Sequence, residues 1–285
     1  MSGRYKFERV DSVCEPGGRI NEDVVGFTTS AGWVIDGATG VMGVQTLPYR
    51  SDAAWFADRI DSALRAEIDD ATPSIEILQK VVAVVATEFV AMSTRPDAAT
   101  TEKPSASFAM VRLVEDEVEQ TVLGDCSILQ LKPDDRVASF GYSGVTSLDQ
   151  EVVNELVRLR AAGASSSEIT AQIDKMERRI RSKMNSEDGY WILDTEGGGI
   201  KSSLVRCDSA LPECFFLVLS DGFRRLVDTY HAYGDESLIR GAVASGLRPL
   251  YEQLRTIEAD DPKAELFPRI KHRDDASALL LRLSQ

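Results

Sequence analysis

The sequence predicts an α+β fold in which antiparallel sheet is covered by helices. Three observations carry this. Residues 105–140 break into short strand-like runs separated by charged or Gly/Pro turns. Apolar residues recur at helical spacing on either side of that stretch. Cys214–Leu219 is almost wholly apolar, as a strand buried on both faces must be.

Taken in order, the first segment carries a glycine-rich turn, Glu15-Pro-Gly-Gly-Arg19, and a short strand around Val24–Thr28. A second strand, Gly32–Ile35, stops at Asp36-Gly37. From about Leu47 to Ala66, Ala53, Phe56, Ile60 and Leu64 fall at helical spacing. A second helix runs from Ser74 to Met92, with Pro73 where a helix start tolerates it. These two helices are expected to pack antiparallel over a flat surface. Ser105–Val114, Val118–Gly124, Cys126–Leu131 and Arg136–Phe140 read as one antiparallel meander. From about Ser147 to Met184 the pattern is helical again, broken near Gly163 and Ser165–Ser167. Because this stretch interrupts a β region, it reads as an excursion from the core. Tyr190–Leu193 is a further strand, Cys214–Leu219 the central one, Glu236–Ile257 helical, and Ala276–Leu283 the last strand. No internal repeat or low-complexity linker divides the chain, so residues 1–285 read as a single domain with a helical insertion at about 147–186.

Composition narrows the function. The 46 acidic residues exceed the 32 basic ones, giving a formal net charge of −14. That field repels phosphate backbones and argues against general nucleic-acid binding. A hydrophobic content of 43% suits a soluble globular chain and is too high for disorder. The longest apolar runs, Val81–Ala86 and Cys214–Leu219, are far too short to cross a bilayer. The first residues offer no hydrophobic stretch for a secretory signal. Cys14, Cys126, Cys207 and Cys214 lack paired close spacing and read as reduced, mostly buried thiols of a cytoplasmic protein. His231 and His272 are the only histidines, which leaves little room for mechanisms needing several imidazoles.

Aspartates recur at the ends of apolar strands. Asp36 follows Trp33-Val-Ile35, Asp125 follows Val122-Leu-Gly124, Asp221 follows Leu217-Val-Leu-Ser220, and Asp274-Asp275 precede Ala276–Leu283. A carboxylate ending one strand and another starting its antiparallel neighbour lie on the same sheet edge. Like charges crowded there must be protonated, separated or neutralised by cations. Hard oxygen ligands without histidine or cysteine favour magnesium or manganese over zinc. The glycines after Asp36 and Asp221 let the backbone turn sharply and could expose a carbonyl as a ligand. Any one of these Asp-Gly pairs could be simple turn chemistry, so the inference rests on their combination. Upstream, Asn21-Glu22-Asp23 adds two acids, and Arg19 a cation suited to gripping phosphate.

The ordered set Arg19-Ile-Asn-Glu-Asp23, Val34-Ile-Asp-Gly37, Ser105-Ala-Ser107, Gly124-Asp-Cys126, Leu219-Ser-Asp-Gly222 and Arg273-Asp-Asp275 resembles the metal-dependent, type 2C-like serine/threonine protein phosphatases over nearly the whole chain. The resemblance implies a β-sandwich flanked by helix pairs, with two divalent ions, Mg²⁺ or Mn²⁺, at one end. It implies that Asp36 bridges both ions and Gly37 donates its carbonyl. Asp221 and Asp274 would complete the shells, while Glu22 and Asp23 bind a metal or orient its waters. Arg19 would hold the substrate phosphate, and the substrate would be a phosphorylated protein met by a monomeric enzyme. Two such ions lower the pKa of a bridging water enough for in-line attack on phosphorus.

The sequence also departs from the family pattern. The arginine is one residue nearer the Glu-Asp pair than usual. Ala38-Thr39-Gly40 replaces a glycine-rich run, which implies a different local backbone. Arg225 stands where the family usually has an acid that helps a third metal, which leaves Asp125 a weak or structural ligand and Asp228 a substitute. These departures motivate the alternative of a catalytically weak pseudophosphatase acting as a binding or regulatory module. The one basic cluster, Lys175, Arg178, Arg179, Arg181 and Lys183, reads either as a solvated helix face or as a flap that recruits an acidic substrate segment.

Overall fold

The computed structural model describes residues 5–38, 45–141 and 144–285; Thr39 and Gly40 of the run singled out above lie outside them. It opens with a strand that the sequence does not announce. β1 (Lys6–Glu15) pairs antiparallel with β11 (Ala276–Ser284) at the edge of a sheet. Only Phe7 and Val13 of β1 are buried, and a register shift between Arg9 and Asp11 breaks its alternation, so the period-2 signal is lost.

β2 (Val24–Phe27) and β3 (Ala31–Ala38) form a hairpin. Strand β3 does not stop at Ile35. It keeps pairing with β4 (Ser105–Val114) through Asp36 opposite Ser107 and Ala38 opposite Ser105. Helix α1 (Asp52–Glu67) starts later than the apolar spacing suggests, because the Ser51 hydroxyl accepts the Ala54 N–H and caps it. Helix α2 (Ser74–Met92) has the expected limits.

The stretch 105–140 is not one meander. β5 (Glu117–Leu123) pairs with β4, but the chain then crosses to the other sheet. There β6 (Ser127–Leu131) and β7 (Val137–Gly141) pair with each other, and β6 pairs with β10 (Phe215–Leu219). Gly124 makes the crossing at φ +85°, and a Cβ there would come within 2.3 Å of Ser107 Oγ. Helices α3 (Gly144–Ala161) and α4 (Ser166–Arg181) form the excursion, with Gly163 at φ 71° and a Ser165–Glu168 capping box between them. The expected strand at Tyr190–Leu193 shrinks to the two-residue β8 (Leu193–Asp194) on β4. β9 (Leu204–Ser209), unforeseen, edges the second sheet beside β5. Helix α5 (Asp221–Asp228), also unforeseen, follows β10 directly, and α6 (Asp235–Ser245) and α7 (Arg248–Asp260) complete the helices.

The two sheets run β1-β11-β10-β6-β7 and β2-β3-β4-β5-β9. Alternation along the strands builds three cores from them. Val34, Ala109, Val218, Leu279 and Leu281 meet between the sheets. Trp33, Ile35, Phe108 and Met110 face outward against Trp55, Phe56, Ile60 and Val81 of α1 and α2. Leu217, Leu219, Ala278 and Leu280 face the other way, against Phe223, Leu238 and Leu254 of α5–α7. Each fully buried Leu, Ile or Phe contributes roughly 1.5–3 kcal/mol, and the result is a helix–sheet–sheet–helix sandwich. No helix among the described residues is long and apolar enough to cross a membrane.

Candidate active site

One end of the sandwich collects the acids. Asp36 lies near the end of β3, and Asp125 follows the Gly124 crossing, its N–H donating to Ser107 Oγ at 3.3 Å. Asp221 opens α5, where unpaired helix N–H groups favour a carboxylate. Asp274 sits just before β11, the neighbour of β10. All four, with Gly37, line one cavity of about 750 Å³. Gly37 and Gly222 serve closeness here, since neither has positive φ. A Cβ on Gly37 would lie 2.6 Å from the Glu22 carbonyl oxygen, and one on Gly222 would strike the Asp275 carbonyl.

The upstream acids reach this end differently. Asp275 accepts the backbone N–H groups of Gly17 and Glu22, each at 2.7 Å, and so clamps the glycine-rich turn. The Gly37 N–H donates to the Glu22 carbonyl at 3.2 Å, which sets Glu22 beside β3. Asp23 is buried, and neither of its carboxylate oxygens meets a donor in full hydrogen-bond geometry, although the Ser277 hydroxyl lies close enough to favour its charged form. Arg19 is exposed on the turn and does not line the cavity.

The electrostatics follow from the crowding. Burial, and then the charges of Asp23, Asp221 and Asp125, push the Asp36 carboxyl well above the usual carboxylate range. Burial and the negative charges of Asp275, Asp221 and Asp274 raise Asp23 in the same way. Asp125 is pushed up to about 6 by burial and by Asp221. Asp221 is raised by burial and by Asp274, and its carboxyl lies against that of Asp36. The nearby cations go to Asp274: Arg225 Nη2 stands 2.7 Å from its Oδ2, and Lys271 Nζ 2.8 Å from its Oδ1. Asp36, Asp125 and Cys126 each bring a ligand atom within 4.8 Å of the others. A crowd of oxygen donors at elevated pKa, one of them buried without a full hydrogen bond, fits hard divalent cations.

Comparison with known protein families and with curated proteins finds no match. Solved structures do match. A Mycobacterium tuberculosis serine/threonine phosphatase, PstP/Ppp, aligns over 98% of this chain and 100% of its own at 11% identity, with a TM-score of 0.61. The catalytic domain of PstP in complex with two manganese ions aligns over 99% and 100% at 13% identity, with a TM-score of 0.59. The Mycobacterium smegmatis PPM Ser-Thr phosphatase MsPP, in complex with cacodylate, aligns over 96% and 99% at 13% identity and a TM-score of 0.54. The chain has the PPM phosphatase fold.

On that fold the remaining sequence expectations fall as follows. Asp228 lines the cavity but pairs with Arg224 at 3.0 Å. His231 lines it too, with Nδ1 2.9 Å from the Val227 carbonyl, whereas His272 is exposed and offers its carbonyl to Arg269. The basic cluster does not act as one face. Arg181 is buried and donates to Thr101 O, Lys103 O and Ser105 Oγ, which ties α4 to the start of β4. Arg179 meets Glu151, and Lys175 and Arg178 remain exposed. Three residues escaped the sequence reading. Asp149 of α3 lines the cavity; its side chain is exposed, and partial desolvation there with the charges of Asp125 and Asp221 raises its carboxyl above the usual range. Cys126 enters the sequence analysis as a thiol and as the residue after Asp125, with no ligand role, and Lys271 does not enter it. A helix charge gives no hint of which strand end it will face; for Lys271 the one available signal was its position three residues before Asp274.

Proposed function

We propose that this chain is a metal-dependent phosphoserine/phosphothreonine protein phosphatase, a phosphoric monoester hydrolase. The observation that carries the reading is the meeting of Asp36, Asp125, Asp221 and Asp274 at one cavity floor, backed by buried Asp23, which lacks a full hydrogen bond. The PPM fold supports it, and so does the solved relative that holds two manganese ions. Asp36, Gly37, Glu22, Asp221 and Asp274 would hold two divalent ions, Mg²⁺ or Mn²⁺, with Asp23 orienting the waters around them and Asp125 a weaker ligand. Bound ions supply Lewis acidity and an activated water near neutral pH. The chain's own groups then have defined tasks. Asp275 fixes the 17–22 turn, and with it the position of Glu22 and Asp23. Residues of helices α3 and α4 and residues 266–271 line the cavity in which the phosphoryl group would react.

Hydrolysis of a phosphothreonine peptide in Mn²⁺, abolished by chelator and restored by added Mn²⁺, is the expected result. Activity that survives the chelator contradicts the proposal. Calorimetry showing no binding of Mn²⁺ at millimolar concentration favours the pseudophosphatase instead.

A further inference from the structure

The cavity contains a cation pair to which the reading above gives no task. Arg225 is fixed: its side chain is 12% exposed, it grips Asp274 Oδ2 at 2.7 Å, and fully buried Glu258 stands 4.0 Å behind it. Its Nη1 also donates to the Lys271 carbonyl at 3.4 Å. Lys271 is the opposite case. Its ammonium meets Asp274 Oδ1 at 2.8 Å, yet 66% of its side chain is exposed. Two cations thus share one carboxylate, and the outer one sits on a flexible stem at the edge of the acidic floor.

The other arginines lining this cavity are committed. Arg181 is held by two backbone carbonyls and Ser105. Arg269 is buried against Asp261 at 2.7 Å. Arg224 bridges Asp228 and Asp235, each at 3.0 Å. Arg19, the phosphate ligand implied by the family resemblance, is exposed on the turn that Asp275 clamps and, like Glu22 and Asp23 beside it, is not among the residues that line the cavity.

We propose that Lys271, braced by Arg225, grips the phosphate group of the substrate in this protein, the task the resemblance gives to Arg19. This deepens the phosphatase reading and rests on it. The ligand chemistry is a phosphate monoester dianion. A lysine ammonium suits it as a compact charge with rotatable donors; with Arg225 on Asp274 Oδ2 and an ion taking Oδ1 when the site is loaded, Lys271 would be released to turn to an anion.

The test compares the full-length wild type with K271A, K271R and R19A. Calorimetry first measures inorganic phosphate binding to the Mn²⁺-loaded protein, and Mn²⁺ binding itself. KM is then measured for an aryl phosphate and for a phosphothreonine peptide at saturating Mn²⁺. K271A should weaken phosphate binding about tenfold or more, the range for a charge-assisted hydrogen bond. It should raise KM by a similar factor for both substrates, leave Mn²⁺ affinity undiminished, and be largely rescued in K271R. Unchanged phosphate affinity overturns the proposal. So does a KM rise for the peptide alone, which would place Lys271 on the peptide chain, or a larger loss in R19A than in K271A. A wild type that binds Mn²⁺ and phosphate but hydrolyses neither substrate defeats the phosphatase reading, while the phosphate titration still decides the role of Lys271.

Discussion

Two groups of enclosed carboxylates in this molecule are treated in opposite ways. Asp261 and Glu258 are buried with their own cations. Asp261 accepts Arg269 at 2.7 Å and the backbone N–H groups of Glu265, Leu266 and Phe267. Against its burial, those hydrogen bonds hold it well below the usual carboxylate range. Glu258 has Arg255 at 2.7 Å and Arg225 and Arg273 near 4 Å. Asp23, Asp36, Asp125 and Asp221 are enclosed with one another instead, and their pKa values rise. A carboxylate that serves the fold comes with its counter-charge in the sequence. One enclosed among like charges is costly to the fold and makes sense when a cation comes from outside.

The sharpest way to break this contrast is to neutralise one member of each group. The double variant D36N/D221N should lose about a thousandfold or more of its Mn²⁺-dependent hydrolysis. The same protein, metal-free, should melt at a higher temperature than the wild type, because repulsion has been removed. A lower melting temperature would mean that these carboxylates support the fold. D261N should do the reverse, destabilising by about 3–5 kcal/mol because Arg269 is left buried without its anion, as read from denaturant unfolding.

A smaller effect sharpens the contrast without mutation. Asp125, at about 6, and Asp23, Asp36 and Asp221, all raised, bind protons more tightly folded than unfolded, where an aspartate titrates near 3.9. From about pH 4 to at least pH 6 the native state therefore holds more protons, and the stability of the metal-free protein falls as pH rises through that window. Melts in chelator should drop by several degrees from pH 5 to pH 8, and Mn²⁺ at pH 8 should recover the loss. A flat profile in chelator would show that these carboxylates are neutralised from within the chain.

How much was legible beforehand depends on the kind of signal. Helix α2, the long strand β4 and the apolar β10 were readable because each has a strong local period or an unbroken apolar run. β1 and β9 were not, since edge strands bury few residues and carry little pattern. α5 was missed because its eight residues are too few to show a helical period. The transfer between sheets at Gly124 was invisible too, because strand pattern says which face is buried but not which sheet a strand joins.

The sequence by itself determined the alternating faces, the capped helices and a set of aspartates placed beside apolar strands. Those are local properties, written in spacing and side-chain chemistry. Only the tertiary structure decided that Asp36, Asp125, Asp221 and Asp274 share one cavity, that Asp275 clamps a turn, and that Lys271 reaches the same cavity beside Asp274. Those facts depend on which strands pair across more than two hundred residues of chain, as β1 does with β11, and no local period encodes such a pairing.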